Sequence, residues 1–370
     1  MKLQVQRAAF TQLIGKLQSI VPSKPSIPVL ANILIEASND QIVLSGTDLT
    51  VSMRVYAEAK VAEEGAIAIP ARRFFQLVRE LTTPEIEIET TSPEVITLHA
   101  GSSHFKIQGM HKSEFPAFPD LSEGVALDLK TPQLKEMLVR TAFAAARDDS
   151  RQVLNGILLQ KADNLATFVA TDGKRLAKNQ IELEKAPEGS GSYIVPLKAV
   201  EEMTKLLDDN TETSKLTLME DKLAIEVGPI LLITKLLSGQ YPDISRVIPQ
   251  RSESTLTLHR DELIALLRQV SLFTSEESHS VRFSFSQGTL HLSATSGEIG
   301  EGKVSMPVNY GGTKLEIAFN PHYFLDILRH SKDETVQFDV TDSYNPGLIT
   351  DSSKAEFVIM PMRLESLAEA

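Results

Sequence analysis

Three stretches of the chain open with alternating apolar and polar residues and continue with apolar residues at helical spacing. They read MKLQVQRAAFTQLIGKLQSIV from Met1, ALDLKTPQLKEMLVRTAFAAA from Ala126 and TLTLHRDELIALLRQVSLFT from Thr255. Alternation predicts a strand, and a period near 3.6 predicts a helix with one buried face. Each stretch therefore predicts a strand followed by a helix.

The segments that follow each stretch also match in order. Three short strands with tight turns come next, and then a second strand–helix unit that reads AIAIPARRFFQLVREL, SYIVPLKAVEEMTKLL or KLEIAFNPHYFLDILRH. Further alternating strands close each repeat. The pattern predicts three similar α+β domains, each made of two β-α-β-β-β halves. Turn-rich segments at Pro119–Gly124 and Pro249–Ser254 place the domains at 1–122, 123–251 and 252–370.

Composition narrows the class of protein. Of the 370 residues, 42% are hydrophobic and 23% are charged, which is typical of a soluble globular protein. No apolar run reaches the length of a membrane span, and the absence of cysteine excludes disulfides and thiolate metal sites. These features favour a cytoplasmic protein. The net charge of −12 argues against nucleic acid, unless the basic residues are clustered.

The basic residues concentrate on the predicted helices and at their ends, whereas many acidic residues fall in strands and hairpins. If the helices face a common opening and the sheets face outward, an acidic chain gains a basic lining. Lys and Arg are also good helix formers, so their placement has a second explanation. The helix-associated basic residues include Arg7, Lys16, Arg72, Arg73, Arg79, Lys135, Arg140, Arg147, Lys198, Lys205, Arg268, Arg329 and Lys332.

Domain size sets what a ring of such domains could hold. A domain of this length is about 35 Å across. Three of them in a ring leave a hole of a few Å, whereas six leave a hole of about 30 Å. Duplex DNA is about 20 Å wide. Two copies of the chain, joined head to tail, would supply six domains and close on themselves.

Several segments together resemble the bacterial sliding clamp, the beta subunit of DNA polymerase III. They are MKLQVQR, PSIPVLANILIEA, GTDL, IPARRFFQLVREL, LNGILL, VATDGKRLA and the terminal VIMPMRL, and they span almost the whole chain. The resemblance implies three clamp domains, a head-to-tail homodimeric ring around duplex DNA, helices inside and sheets outside. It also implies a processivity factor without catalytic activity or cofactors. Its implied partners are a clamp loader complex, the replicative polymerase alpha subunit, and other polymerases or repair proteins that carry a short clamp-binding motif.

The resemblance implies a partner-binding groove between the second and third domains. Leu, Val, Pro and Met would form an apolar trough there, and Met can repack around different ligands. The segment Val358–Met362 is equally typical of an ordinary last core strand. The matching positions are Leu154, Thr171, Gly173, Lys174, Arg175, Leu176, Pro242, Arg246, Val247, Val358, Met360, Pro361, Met362 and Arg363.

Positions for DNA and for the dimer contact follow in the same way. Lys24, Arg73 and Lys198 resemble the family's DNA-facing residues, and the helix argument adds Arg79, Arg147 and Arg151. The neighbouring Asp148 and Asp149 would weaken contact with phosphate. The two faces of the dimer contact match Phe105 and Ile107 on an edge strand, and Leu272 and Phe273 after a helix. All four also fit their own domain cores.

Two other hypotheses compete with the clamp. The turns at Thr47–Asp48, Thr171–Asp172 and Thr295–Ser296 could hold an acid or a phosphate, but a structural role fits equivalent hairpins better. A monomeric three-domain interaction scaffold without DNA encirclement would suit the negative charge. No His pair has the spacing of a metalloprotease helix, and no phosphate-binding loop is present. The family pattern commonly ends near Arg363–Leu364, whereas Glu365–Ala370 extends this chain.

Overall fold

The computed structural model describes residues 1–121, 124–185, 189–208, 211–249, 255–275 and 279–363. In these residues, each sequence repeat folds into two β-α-β-β-β halves, so the predicted fold class is confirmed. The described chain has three similar α+β domains with six α-helices.

The first repeat contains one strand that the sequence pattern does not predict, the four-residue β5. The elements of this repeat are β1 (Lys2–Gln6), α1 (Arg7–Gln18), β2 (Asn32–Ser38), β3 (Gln41–Thr47), β4 (Val51–Glu58), β5 (Lys60–Glu63), β6 (Gly65–Pro70), α2 (Ala71–Glu80), β7 (Glu85–Ser92), β8 (Val95–Ala100) and β9 (Ser103–Gln108).

The second and third repeats follow the same order without the extra strand. The second consists of β10 (Val125–Lys130), α3 (Thr131–Ala142), β11 (Gly156–Ala162), β12 (Leu165–Thr171), β13 (Arg175–Glu182), β14 (Gly191–Pro196), α4 (Leu197–Leu206), β15 (Thr213–Leu218), β16 (Lys222–Val227) and β17 (Ile230–Lys235). The third consists of β18 (Thr255–His259), α5 (Arg260–Val270), β19 (Val281–Ser286), β20 (Thr289–Ser296), β21 (Gly300–Pro307), β22 (Leu315–Phe319), α6 (Pro321–His330), β23 (Thr335–Asp339), β24 (Gly347–Thr350) and β25 (Glu356–Ile359).

The strands form antiparallel sheets that cross the repeat boundaries. One eight-stranded sheet has the order β10-β15-β16-β17-β4-β3-β2-β6, and another has the order β14-β11-β12-β13-β25-β24-β23-β18. The first and second repeats join where β4 pairs with β17, and the second and third join where β13 pairs with β25. The remaining sheets are β5-β1-β7-β8-β9 in the first repeat and β21-β20-β19-β22 in the third.

The chain packs into two compact units, and each of these sheets lies within one unit. The first unit comprises residues 1–134 and 198–236, and the second comprises residues 135–197 and those from 237 onward. In the first unit, α1 packs against α2, with the rings of Phe10 and Phe74 edge to face at 5.8 Å. In the second, α5 packs against α6 over a cluster of buried phenylalanines. This cluster contains Phe283, Phe319, Phe324 and Phe338.

The helices carry apolar residues on one face and polar residues on the other, as amphipathic helices over a core do. In α2, Phe74 and Val78 are buried, whereas Arg72, Arg73 and Arg79 are exposed. No helix among the described residues is both long and apolar enough to cross a membrane.

Candidate functional site

An apolar pocket of about 160 Å³ lies in the second unit, where β13 begins and β25 ends. Its floor belongs to a core cluster that includes Leu154, Leu176 and Val358, each no more than 2% exposed. Pro242, Ile244 and Val247, from the loop after β17, form one wall. The eight-stranded sheet thus supplies a fixed apolar floor, and the loop turns it into a groove.

A tight turn between β12 and β13 forms the polar rim of this pocket. Asp172 accepts hydrogen bonds from the backbone N–H groups of Lys174 and Arg175 at 2.9 and 3.0 Å. The Thr171 hydroxyl accepts from the N–H of Gly173 and donates to the carbonyl of Arg175. Gly173 has φ of +85°, which glycine adopts without strain. The side chains therefore fix the turn before any ligand arrives.

A buried tyrosine supports the same turn from below. The Tyr241 hydroxyl accepts a hydrogen bond from the backbone N–H of Thr171 at 3.1 Å. Tyr241 is 8% exposed, and this burial raises the pKa of its phenol above the ordinary value. The tyrosine stays neutral and ties the wall loop to the rim.

Arg175 is held rigidly beside the pocket. Its Nη1 lies 2.6 Å from an oxygen of Asp326, and its Nε lies 3.1 Å from Asp172. The guanidinium also lies over the ring of Tyr323, 4.7 Å from the centroid. Because two carboxylates already bind the guanidinium, Arg175 is held in place and contributes a positioned positive charge to the rim of the pocket.

Arg151 also lines the pocket, although the sequence predicted it as a DNA contact. Asp149 binds its guanidinium at two points, 3.0 and 2.9 Å, and these bonds lower the pKa of Asp149 to about 2. A Cβ atom on Gly173 would lie only 3.2 Å from Nη2 of Arg151. The DNA contact of Arg151 stays a prediction, and in the structure its side chain lies at the wall of the groove.

The pocket brings together nine of the fourteen predicted groove positions. It adds Arg151, Asp243 and Ile244, which the sequence argument did not place there. Ile244 belongs to the segment YPDIS, in which Tyr241 is buried and Pro242 lines the pocket. Its place two residues after the predicted Pro242 could have indicated that Ile244 also lines the groove. The nine are Leu154, Thr171, Gly173, Arg175, Leu176, Pro242, Val247, Val358 and Met360.

The other predicted groove residues lie beside the pocket. The backbone carbonyl of Lys174 accepts a hydrogen bond from the N–H of Met360, and Lys174 lines a neighbouring polar cavity. Arg246 is largely exposed near Asp243, at 3.5 Å. Met362 pairs with the backbone of Ala318, and Pro361 and Arg363 flank it. The predicted extension Glu365–Ala370 lies outside the described residues.

The predicted DNA contacts are exposed basic residues on loops and helix ends. Lys24, Arg73 and Arg147 are exposed, and Arg79 lies 3.3 Å from Glu80. Lys198 forms an ion pair with Asp48, whose side chain is only 13% exposed. Because Asp48 neutralises part of this charge, any contact between Lys198 and phosphate competes with the pair.

The predicted dimer residues lie at two sheet edges. Phe105 and Ile107 are half-buried on β9, the last strand of its sheet. Leu272 is 72% exposed in a 3₁₀ turn after α5 that packs against β20 and β21. The ring of Phe273 covers Gly302 of β21 so closely that a Cβ there would lie 2.5 Å from the ring. In the part of the chain that the structure describes, β9 and β21 are each the last strand of a sheet, with a strand partner on one side only and apolar side chains nearby.

The described residues offer little to the enzyme hypothesis. The Thr47–Asp48 turn repeats the hydrogen bonds of the Thr171–Asp172 turn, so both carboxylates are occupied by backbone N–H groups. Thr295 and Ser296 lie at the end of β20 rather than in a turn. Among the described residues, no group of three or more His, Asp and Glu side chains is arranged to hold a metal.

Three family models match the chain, each by one domain of the DNA polymerase III beta subunit. The N-terminal domain matches residues 1–119, the central domain residues 128–243 and the C-terminal domain residues 245–363. The chain is 52% identical to a beta sliding clamp from Chlamydia muridarum, over 98% of this chain and 99% of that one.

Solved structures agree with this likeness. The fold matches a DNA polymerase III subunit beta from Pseudomonas aeruginosa with a TM-score of 0.95 and 28% identity, over 98% of this chain and 100% of that one. It also matches a sliding clamp from Bartonella birtlesii bound to griselimycin, with a TM-score of 0.94, 29% identity and the same coverage.

Proposed function

The chain belongs to the DNA polymerase III beta subunit family of sliding clamps, and we propose that two copies close head to tail around duplex DNA. As a sliding clamp of DNA polymerase III, it is a replication processivity factor. The proposed ring would hold the polymerase near its template by topology rather than by tight adhesion. The domains would be 1–122, 123–251 and 252–370.

The carrying observation is the pair of apolar sheet edges. The sheet of the first repeat ends at β9 beside Phe105 and Ile107, and the sheet of the third repeat ends at β21 beside Leu272 and Phe273. If β9 of one copy pairs with β21 of the other, both edges are satisfied and Leu272 is covered. Such an unlike pair of surfaces, used twice, closes a two-membered ring.

The basic residues support a weak, sliding contact with DNA. We assign this contact to Lys24, Arg73, Arg79, Arg147 and Lys198, with Arg151 as a further predicted member. Non-specific contacts with phosphate have dissociation constants of about 10⁻⁴ to 10⁻⁶ M and permit sliding. The chain as a whole has a net charge of −12, so its acidic faces would repel DNA.

The groove supports a tethering role. Its apolar floor and fixed rim suit a short extended peptide with bulky apolar side chains. The proposed ligands are motifs on the clamp loader, on the replicative polymerase alpha subunit, and on other polymerases and repair proteins. The similarity to proteins named sliding clamps favours a non-catalytic subunit. Replication of a bacterial chromosome places the proposed function in the cytoplasm.

Release from a cut plasmid tests the ring. Clamp loaded onto a nicked circular plasmid should stay bound through gel filtration and should leave within minutes after a restriction enzyme linearises the plasmid. A linear plasmid capped at both ends by bound protein is the matched control, and it should retain the clamp. Retention on free ends would mean that affinity rather than topology holds the protein on DNA. A mass near 40.7 kDa for the unloaded protein at micromolar concentration would instead favour a monomeric scaffold.

A further inference from the structure

Two histidines face each other across the hairpin of β8 and β9. His99 and His104 are direct partners in the strand register, and their Nδ1 atoms lie 2.6 Å apart. The ring centroids are 4.7 Å apart, and the rings lie at 79° to each other. Both rings are accessible to solvent, and the clamp function proposed above assigns no role to either.

The hairpin geometry brings these rings together. Two residues, Gly101 and Ser102, connect Ala100 to its partner Ser103, and Gly101 adopts φ of +62°. In a hairpin with a two-residue turn, the pair beside the turn exchanges backbone hydrogen bonds, so the next pair does not. Side chains are closest at such a non-hydrogen-bonded pair. His99 and His104 occupy that pair.

The two nitrogens suit a shared cation. At 2.6 Å, one Nδ1–H donates to the lone pair of the other Nδ1. When the donor ring takes its Nε2–H tautomer instead, the lone pairs of both Nδ1 atoms converge on one point. Imidazole nitrogens bind Zn²⁺, Ni²⁺ and Cu²⁺ well. With metal–nitrogen bonds of about 2.1 Å, the two nitrogens would be about 3.0–3.4 Å apart. Exposed side chains can open by that amount without repacking a core.

We infer that His99 and His104 form a surface site for one divalent transition-metal ion of the Zn²⁺, Ni²⁺ and Cu²⁺ class, with water as the remaining ligands. Glu87 is the register partner of His99 on β7, but its carboxylate lies 2.9 Å from Nζ of Lys2. No third His, Asp or Glu completes a set within the described residues. The site is therefore weaker than structural zinc sites, which have four protein ligands.

The metal would hold the edge strand β9 to its neighbour β8. It would cross-link β8 to β9 through side chains that project from the face of the sheet shared with Glu87, rather than from the edge groups of β9. Because the ion binds the folded hairpin, thermal stability should rise with metal concentration. This inference does not depend on the ring.

Calorimetric titration of the full chain with ZnCl₂ and NiCl₂, after removal of metals with EDTA, tests the site at pH 7.5. One saturable site per chain is expected, and H99A and H104A should each weaken it at least tenfold. The control is H322A, which breaks a second contact between two histidine rings among the described residues, that of His279 with His322, whose centroids are 5.8 Å apart. It should bind as the unaltered protein does.

A second readout separates binding from folding. In EDTA, H99A and H104A should melt at the same temperature as the unaltered protein, whereas added Ni²⁺ should raise the melting temperature of the unaltered protein and H322A alone. Unchanged binding in both H99A and H104A, no saturable site in the unaltered protein, or loss of binding in H322A would overturn the inference. Plasmid retention by H104A reports separately on the proposed ring.

Discussion

At the scale of single residues, the same type of turn occurs at two places in the chain with a different residue at its third position. The turns after β3 and β12 have the same pattern of Thr and Asp hydrogen bonds. The residue at the third position differs, although the backbone conformation is similar: Leu49 has φ of +75°, and Gly173 has φ of +85°. A left-handed conformation strains leucine but not glycine. At Gly173, the guanidinium of Arg151 lies so close to the backbone that a Cβ atom would be 3.2 Å from Nη2.

The absent Cβ at Gly173 leads to a prediction about groove binding. Replacing Gly173 with Ala should lower the free energy of unfolding by about 1 kcal/mol, because φ is positive. The new methyl should also displace Arg151 and weaken binding of an apolar clamp-motif peptide by about fivefold to tenfold. Fluorescence anisotropy with a labelled peptide measures the affinity, and urea denaturation measures the stability.

The control for this prediction is Gly288→Ala. Gly288 has φ of +75°, and a Cβ there meets nothing within 4 Å. It should lose similar stability but keep full peptide affinity. Equal loss of affinity in both variants would mean that general destabilisation, rather than the Arg151 contact, governs the groove.

His330 leads to a prediction about pH. Burial lowers the pKa of His330 below its ordinary value of 6.5. Asp326 opposes this shift, whereas the nearby charges of Arg140 and Arg175 add to it. The folded protein therefore favours neutral imidazole, whose Nδ1 lies 2.7 Å from the carbonyl of Asp326. Protonation of the unfolded chain begins at higher pH, so this stabilisation is complete above pH 6.5 and is lost as the pH falls below it.

Urea midpoints at pH 7.5 and pH 5.5 measure this effect. The unaltered protein should lose stability at pH 5.5, and His330→Gln should lose less, because glutamine keeps an N–H donor but does not titrate. His291→Gln changes an exposed histidine on β20 and should show the full pH dependence. An identical pH dependence in all three proteins would remove His330 as a source of the effect.

At the scale of elements, the sequence predicts each strand and helix better than it predicts their neighbours. Alternation and helical spacing are local, so the order of elements in each repeat was predicted correctly, except for the short β5 in the first repeat. The pairings of β4 with β17 and β13 with β25 join strands more than 170 residues apart. Local patterns carry no information on such partners. The groove at the β13–β25 junction was predicted from the family resemblance and not from local patterns. Arg151 and Ile244 lie on loops, and only the folded structure shows that they line the pocket.

The sheet edges carry a prediction about assembly. Replacing Leu272 and Phe273 together with Ala should convert the proposed dimer into a monomer of 40.7 kDa, since it removes the exposed apolar surface beside β21. Analytical ultracentrifugation at micromolar concentration measures the mass. Ile299→Ala removes another exposed aliphatic side chain, 55% exposed in the hairpin between β20 and β21, and should leave the mass unchanged. A persistent dimer in the double variant would refute this interface.

At the scale of the whole molecule, the charge balance distinguishes topological from adhesive attachment. The chain has 37 basic and 49 acidic residues, and the assigned DNA contacts are few. Some of them are already paired, as Lys198 is with Asp48. A protein that held DNA by adhesion would need an excess of positive charge, whereas this chain has an excess of negative charge. A closed ring stays on DNA by enclosure, so weak contacts with phosphate are sufficient, and these allow it to slide along the helix.

Salt therefore provides the sharpest whole-molecule prediction. For a protein making several phosphate contacts, affinity falls by about 10³ to 10⁵ between 50 and 200 mM salt. Clamp already loaded on closed circular DNA should keep the same half-life at 50 and 500 mM NaCl, because salt does not open a dimer held by apolar edges. Unloaded clamp should lose its weak binding to linear DNA over the same range. A variant with Lys24, Arg73, Arg79, Arg147 and Lys198 changed to Ala should retain its half-life on circles and diffuse faster in single-molecule tracking. If its half-life on circles shortened with salt or with these substitutions, adhesion rather than enclosure would be holding the protein on DNA.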